Sequence, residues 1–460
     1  MPNSTEHPNN LLPCISNALD NLPLTDDQKA QVTPQLLKYA FFMDTDGGRK
    51  RAGNFRPDSG TFDFQHKLNV VTERFSGHGL TFAGYLRAAI KQPSLFMQSP
   101  TTIAANITGL VERFAAEQLT TKDYLRAALK DPALFCQSPT TIEANIRGVA
   151  RRFATEGLTV KEYLHAALKH PSLFHYPPRT VVANIKGVVK RFEAEGLTVE
   201  SYLNSVLKQP SLFHQSPKAI AANIRGVARR FETEGLTVKD YLKAAVKHSS
   251  LFYQRPDTIA SNITGVATQL AREGLTAKDY LHAAVKQPPL FSMSPDTVVA
   301  NIQGIAEEVA AEGLTVAAYL RAAIKQPPLF YQKPATIARH ITLICAMYDD
   351  GIFTLPQRRR KPEYYDIHSR AYAPVIAFLL RYPILLTRSD SNLTLCRICV
   401  EMSVIPPGSR ALFRPRHELE RELMKSFGHI DPSCPVSKDA NHVLRRLISD
   451  GYIKSAKLGL

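Results

Sequence analysis

No stretch of this chain approaches the about 18 apolar residues of a membrane span, so the sequence predicts no transmembrane helix. Residues 1–10 have neither the basic start and apolar run of a secretory signal nor the arginines of a transit peptide; they read as a disordered tail. Their Ser/Asn/Pro bias also suits specialised bacterial export. The six cysteines, Cys14, Cys136, Cys345, Cys396, Cys399 and Cys434, keep no regular spacing, which argues against a disulfide framework and for a reducing, cytoplasmic setting. No segment alternates apolar and polar residues as a strand does. No Ser/His/Asp set, glycine-rich phosphate loop or pair of carboxylates recurs at fixed positions, so neither catalysis nor a cofactor is expected.

What is present is a repeat. Leu80, Leu119, Leu158, Leu197, Leu236, Leu275 and Leu314 each lie 39 residues from the next, and Tyr85 and Phe96 recur in step with them through Tyr319 and Phe330. A strict period of this size predicts a solenoid, whose repeats stack on their neighbours and present long surfaces for binding. The expected organisation is a tail (1–10), a helical N-terminal cap (11–79), seven repeats (80–352), a basic linker (353–362) and a helical extension (363–460).

Repeat 2 shows the recipe. Thr120 and Asp123 have capping-box spacing, which predicts a helix from Thr121 that Pro132 stops. Leu134 and Phe135 are expected to plug the core. Ser138 and Pro139 read as N-cap and first residue of a longer helix, with Ile142, Ile146, Val149 and Phe153 as one apolar stripe and Gly157 closing it. The fold class is therefore all-α.

The order Pro-x-Leu-Phe, Ser-Pro, long helix, Gly-Leu-Thr and short helix resembles the mitochondrial transcription termination factor (mTERF) repeat. The likeness runs through all seven repeats and a degenerate copy at Leu380–Leu386. It implies a curved α-solenoid that binds double-stranded DNA, or RNA, through a basic concave surface. Near-identical repeats without a transit peptide point to a bacterial relative of that family.

Charge supports a polyanionic partner. The chain carries +16, of which the repeats hold +9 and residues 353–460 hold +8. A lysine ends every short helix: Lys91, Lys130, Lys169, Lys208, Lys247, Lys286 and Lys325. It is either a phosphate ladder or a simple response to the helix dipole. On the long helices Arg147, Lys186 and Arg225 align, as do Arg151, Lys190 and Arg229, and Arg152, Arg191 and Arg230 with Arg113. In repeat 6 the same places hold Gln303, Glu307 and Glu308, so this patch is local to repeats 2–4, whose long helices are expected to lie against phosphates.

Three further columns stand out. Asn106, Asn145, Asn184, Asn223, Asn262 and Asn301, with His340 last, are expected to satisfy backbone groups of the Pro-Leu-Phe turn. The glycines from Gly109 to Gly304 are expected to permit close helix approach. After the invariant Phe the residue varies: Met97, Cys136, His175, His214, Tyr253, Ser292 and Tyr331. These either read one base per repeat, as in modular RNA readers, or drift at a tolerant turn.

In the extension, Cys396-x-x-Cys399 with Cys434, His429 and His442 reads as core cysteines rather than a zinc site, since Leu395, Ile398 and Val400 surround them. A last helix is expected over 441–448. Gly48-Arg49-Lys50-Arg51 and Arg358-Arg359-Arg360-Lys361 would suit a nuclear address in a host cell. The expectation is a monomer that binds nucleic acid, duplex DNA before RNA, with no membrane partner. The rival is a HEAT- or TPR-like scaffold for an acidic protein, such as a bacterial effector acting in a host.

Overall fold

Threonine sets where each short helix begins. In all seven repeats the threonine after the invariant leucine accepts a hydrogen bond from the backbone N–H three residues on, as at Thr120 (Asp123 N, 3.1 Å) and Thr159 (Glu162 N, 3.1 Å). The helices Phe82–Lys91, Thr121–Lys130, Val160–Lys169, Val199–Lys208, Val238–Lys247, Ala277–Lys286 and Val316–Lys325 follow. Each runs into a one-turn segment around Pro-x-Leu-Phe. Proline then opens the long helices, Pro100–Arg113, Pro139–Arg152, Pro178–Arg191, Pro217–Arg230, Pro256–Gln269, Pro295–Glu308 and Pro334–Asp349. These bounds meet the sequence expectation with two differences. The long helix of repeat 2 ends at Arg152 with Phe153 as its C-cap, so Gly157 (φ 87°) closes the turn that follows and not the helix itself. Ser138 stands at the N-cap, but its hydroxyl pairs with Thr140 Oγ1 at 2.6 Å and caps no backbone N–H. Pro139 has no N–H to offer, which leaves the first turn less in need of a side-chain cap.

This computed structural model describes residues 11–44, 63–353, 355, 372–401, 404–408 and 410–427. Those residues are all-helical, with no β-strand among them. The tail at 1–10, both Arg/Lys-rich clusters, the helix expected over 441–448, and Cys434, His429 and His442 lie outside the described residues. The chain divides into two compact bodies, Met1–Ala222 and Asn223–Leu460.

In the N-terminal body Leu11–Asp20 packs on Asp26–Asp44 ahead of Phe64–Phe75. Long helices then pack in sequence, Phe64–Phe75 on Pro100–Arg113, that on Pro139–Arg152, and that on Pro178–Arg191. Short helices from Phe82–Lys91 to Val199–Lys208 do likewise, each also resting on the long helix before it. The C-terminal body repeats the pattern from Val238–Lys247 to Ala373–Arg381 in the short row and from Pro256–Gln269 to Pro334–Asp349 in the long row. Each body therefore has two helix rows, and the outer face of each row is open to solvent.

The turn fills the space between rows. Leu134 and Phe135 are completely buried, and the Tyr85 ring meets Phe135 edge-on at 5.1 Å. Burying such side chains is worth roughly 1.5–3 kcal/mol each. The asparagine column does what its position suggested: Asn145 Nδ2 donates to Phe174 O (2.8 Å), Asn106 to Phe135 O (3.0 Å) and Asn262 to Phe291 O (3.0 Å). Each bond joins one repeat's long helix to the next repeat's turn. His340 takes the same part, its Nδ1 lying 2.9 Å from Leu386 O, so the degenerate copy at Leu380–Leu386 is tied in by the same contact.

Candidate nucleic-acid interface

The outer face of the short row is built from three positions per helix. In repeat 2 Tyr124, Leu125, Ala127 and Ala128 are buried, which leaves Lys122, Arg126 and Lys130 exposed at i, i+4 and i+8. The same places hold Lys161, His165 and Lys169 in repeat 3, Lys239, Lys243 and Lys247 in repeat 5, and Lys278, His282 and Lys286 in repeat 6, all exposed. Among the described residues no carboxylate lies within ion-pair range of Lys91, Lys130, Lys169, Lys208, Lys247, Lys286 or Lys325. Between Thr121–Lys130 and Val160–Lys169 runs a groove of about 280 Å³, lined by Arg126, Lys130, His165 and Lys169 over Leu164 and Leu168. Asp123 at its rim lies 3.9 Å from Arg126. The terminal lysine recurs in all seven repeats at the period of 39, whereas the cations in the first turn and the middle recur in only some of them. The first-turn and middle cations show themselves when helical periodicity is applied to charge.

The long-row cations divide by role. Arg147 is held on every side: Nε donates to Glu143 (3.0 Å), Nη1 to Glu117 (2.9 Å) and Nη2 to Arg113 O (2.8 Å), with the Phe114 ring 5.0 Å away. Those partners hold its guanidinium above the ordinary arginine range against the opposing effect of burial. Arg113 also pairs with Glu143 (3.0 Å), Arg230 pairs with Asp257, and Arg191 Nη1 donates to Gly187 O (2.9 Å). Arg225 is half-buried. Arg151, Arg152, Lys186, Lys190 and Arg229 are exposed with no ion pair among the described residues, and Arg179 and Lys218 add cations at helix starts that the aligned columns did not include. In repeats 5 and 6 this row turns acidic, with Asp257, Asp296, Glu307 and Glu308 exposed. The short helices thus carry net positive charge in every repeat but the fourth, whereas the long helices carry it only in repeats 2–4.

Three members of the variable column, His175, His214 and Tyr331, face the residue just after the preceding repeat's short helix. His175 Nε2 lies 3.1 Å from Asp131 Oδ2, and that contact holds the Asp131 carboxyl below its ordinary range. The His214 ring stacks on His170 at 4.9 Å and lies parallel to Tyr176 at 5.5 Å. Cys136 Sγ is 3.5 Å from Ser94 Oγ, and burial raises its thiol. Met97 is buried, and Ser292 Oγ donates to Gln254 Oε1 at 3.1 Å. Tyr331 accepts from Gln287 Nε2 at 3.0 Å yet keeps 36% of its surface, and Tyr253 keeps 40%. Five of the seven are therefore occupied by neighbours, and two tyrosines stand open.

In the extension Cys396 and Cys399 are buried, and burial pushes their thiols up to about 12 and about 11. Protonated thiols packed in a core behave as small apolar groups. No helix among the described residues is long and apolar enough to cross a membrane. Neither a protein-family model nor a curated protein sequence matches this chain.

Proposed function

We propose that this chain is a helical-repeat solenoid of the mTERF type that binds nucleic acid, without chemistry, along the outer face of its short helices. The observation that carries the reading is the place of Lys122, Lys161, Lys239 and Lys278. They stand in the first turn of their helices, where the macrodipole favours anions and disfavours cations. Dipole compensation accounts for a lysine in the last turn and fails for one in the first. A cation placed against its local field, and continued by Arg126 and Lys130 or by Lys243 and Lys247 one and two turns on, fits a surface shaped by an external polyanion.

The geometry suits phosphate tracking. Successive short helices lie about one packing distance apart, ~8–10 Å, so each presents its cations to roughly every third nucleotide of a strand that rises ~3.4 Å per residue. Contacts of this kind carry affinity and little sequence information. Duplex DNA is the first ligand to try, on the family likeness, with RNA next. Binding of short duplex DNA, duplex RNA and single strands should be measured from low to physiological salt. Affinity should fall linearly on a log–log plot with a slope of about −0.7 to −0.9 per phosphate contact. No affinity for any of the three at low salt refutes the reading.

A further inference from the structure

Phosphate contacts alone do not distinguish paired from unpaired strands, but the turns of the C-terminal body add a different surface. Among the described residues the large apolar side chains that stand exposed are Tyr253, Tyr331 and Ile384, at 40%, 36% and 50%. Single exposed apolar groups are ordinary. These three all stand at Pro-Leu-Phe-type turns of the C-terminal body: Tyr253 follows Ser249–Phe252, Tyr331 follows Pro327–Phe330, and Ile384 lies in Pro383–Thr387. Tyr253 and Tyr331 are also the same position of the repeat, two layers apart, while Ser292 between them is small and hydrogen-bonded to Gln254.

The chemistry around the tyrosines is cationic. From Lys243 to Pro256, from His282 to Pro295 and from Arg321 to Pro334 the sequence contains no aspartate or glutamate. These three segments are the C-terminal halves of the short helices with their turns. The Tyr331 hydroxyl accepts from Nε2 of Gln287, the residue directly after Lys286, which ends the short helix of the preceding repeat. Within its own repeat Lys247 ends the helix before the Tyr253 turn, as Lys325 does before the Tyr331 turn.

Resting on the phosphate-binding reading above, we propose that the turn edge of the C-terminal body is a site for single-stranded nucleic acid, in which unpaired bases stack on Tyr253 and Tyr331 while Lys247, Lys286 and Lys325 hold the intervening phosphates. Aromatic rings spaced along a cationic groove take bases of any sequence, because every base has a π face. In a duplex those faces are already stacked inside the helix, so a paired strand offers the tyrosines nothing. Bases rather than an acidic peptide fit the edge because the acid-free segments supply charge and the two rings supply flat apolar area at a repeat interval.

The chain contains no tryptophan, so one introduced tryptophan is an unobstructed reporter. Full-length Tyr253→Trp and Tyr331→Trp proteins should be titrated with an oligothymidine of ~12 nucleotides, within the ~4–16-nucleotide footprint usual for such grooves, and with a duplex of equal length. Anisotropy of a label on the oligonucleotide reports binding in the same samples. The single strand should quench tryptophan emission about twofold or more and the duplex should not. The double variant Tyr253→Ala/Tyr331→Ala should lose about tenfold or more in single-strand affinity with unchanged duplex affinity and thermal midpoint, and Tyr253→Phe, which keeps the ring, should bind as the parent does. Binding by anisotropy without quenching, or equal quenching by the duplex, overturns the stacking site and leaves the phosphate reading in place. No binding in either form overturns both.

Discussion

The ring of Pro178 lies so close over Gly148 that a Cβ added to the glycine would stand 2.5 Å from Pro178 Cγ. The glycine is on the long helix of repeat 2 and the proline opens the long helix of repeat 3, so this contact sets how near one layer comes to the next. Gly187 meets Pro217, and Gly265 meets Pro295, in the same way. Neither partner can yield cheaply, since one is helix backbone and the other a closed ring. Gly148→Ala should therefore lower stability by about 1–3 kcal/mol through overpacking, although alanine is the better helix former. Gly77→Ala, at a site with nothing within 4 Å, is the control, and it should leave the denaturant midpoint in place or raise it.

Gln118 is the mirror case. It stands where other repeats place a glycine in the left-handed region (φ 87° at Gly157, 90° at Gly235), and it holds φ 65° itself, alone among non-glycine residues described. A side chain there costs roughly 1–2 kcal/mol, against which glycine loses some unfolded-state entropy. Gln118→Gly should stabilise the protein by a net ~0.5–1 kcal/mol. An unchanged or lower midpoint would mean that the bond from Lys161 Nζ to Gln118 Oε1 (2.7 Å) outweighs the strain.

These two sites show what the period reveals and what it hides. Tyr124, Leu134, Phe135 and Asn145 could be assigned to the interior from sequence, because each recurs from repeat to repeat and sits at apolar spacing within its own helix or turn. The capture of Arg147 was not legible: it needs Glu117, 30 residues back and one layer away, and only the stacking of layers brings the two together. The same holds for the variable column, whose partners lie 38 to 44 residues back, as Gln254 does from Ser292 and Asp131 from His175. Aligning repeats compares each residue with its own copies. It does not compare it with the residue it touches.

The stacked pair His170 and His214 makes the N-terminal body sensitive to acid. Burial lowers both from the ordinary histidine value of 6.5, and for His214 the charge of His170 adds to the effect. With folded values depressed, the unfolded chain takes up protons first. Stability is then full above pH 6.5, falls as pH drops through that value, and stops falling on this account below the lowered folded values. Asp131, lowered from 3.8 by its bond to His175, acts in the same direction at lower pH. The thermal midpoint should decline from about pH 7 to about pH 5, and His214→Gln should flatten the decline. An equal slope in the variant removes the pair as its source.

Charge on the two rows separates folding from binding. Lys239 and Lys278 occupy first turns and make no ion pair among the described residues, so Lys239→Glu and Lys278→Glu place an anion where the dipole favours one. Each should raise stability by about 0.3–1 kcal/mol and at the same time weaken nucleic-acid binding, and should reduce the salt slope by about 0.7–0.9 for each phosphate no longer neutralised. Arg147→Ala should do the reverse. Removing its guanidinium leaves Glu117 without its partner and Glu143 with Arg113 alone, and exposes one edge of Phe114, so stability should fall by about 1–3 kcal/mol with little change in affinity. Opposite signs for stability and affinity in the lysine variants are the decisive outcome. A solvated face without a ligand would show the gain in stability and no loss of binding, whereas lysines kept for the fold would show a loss of stability.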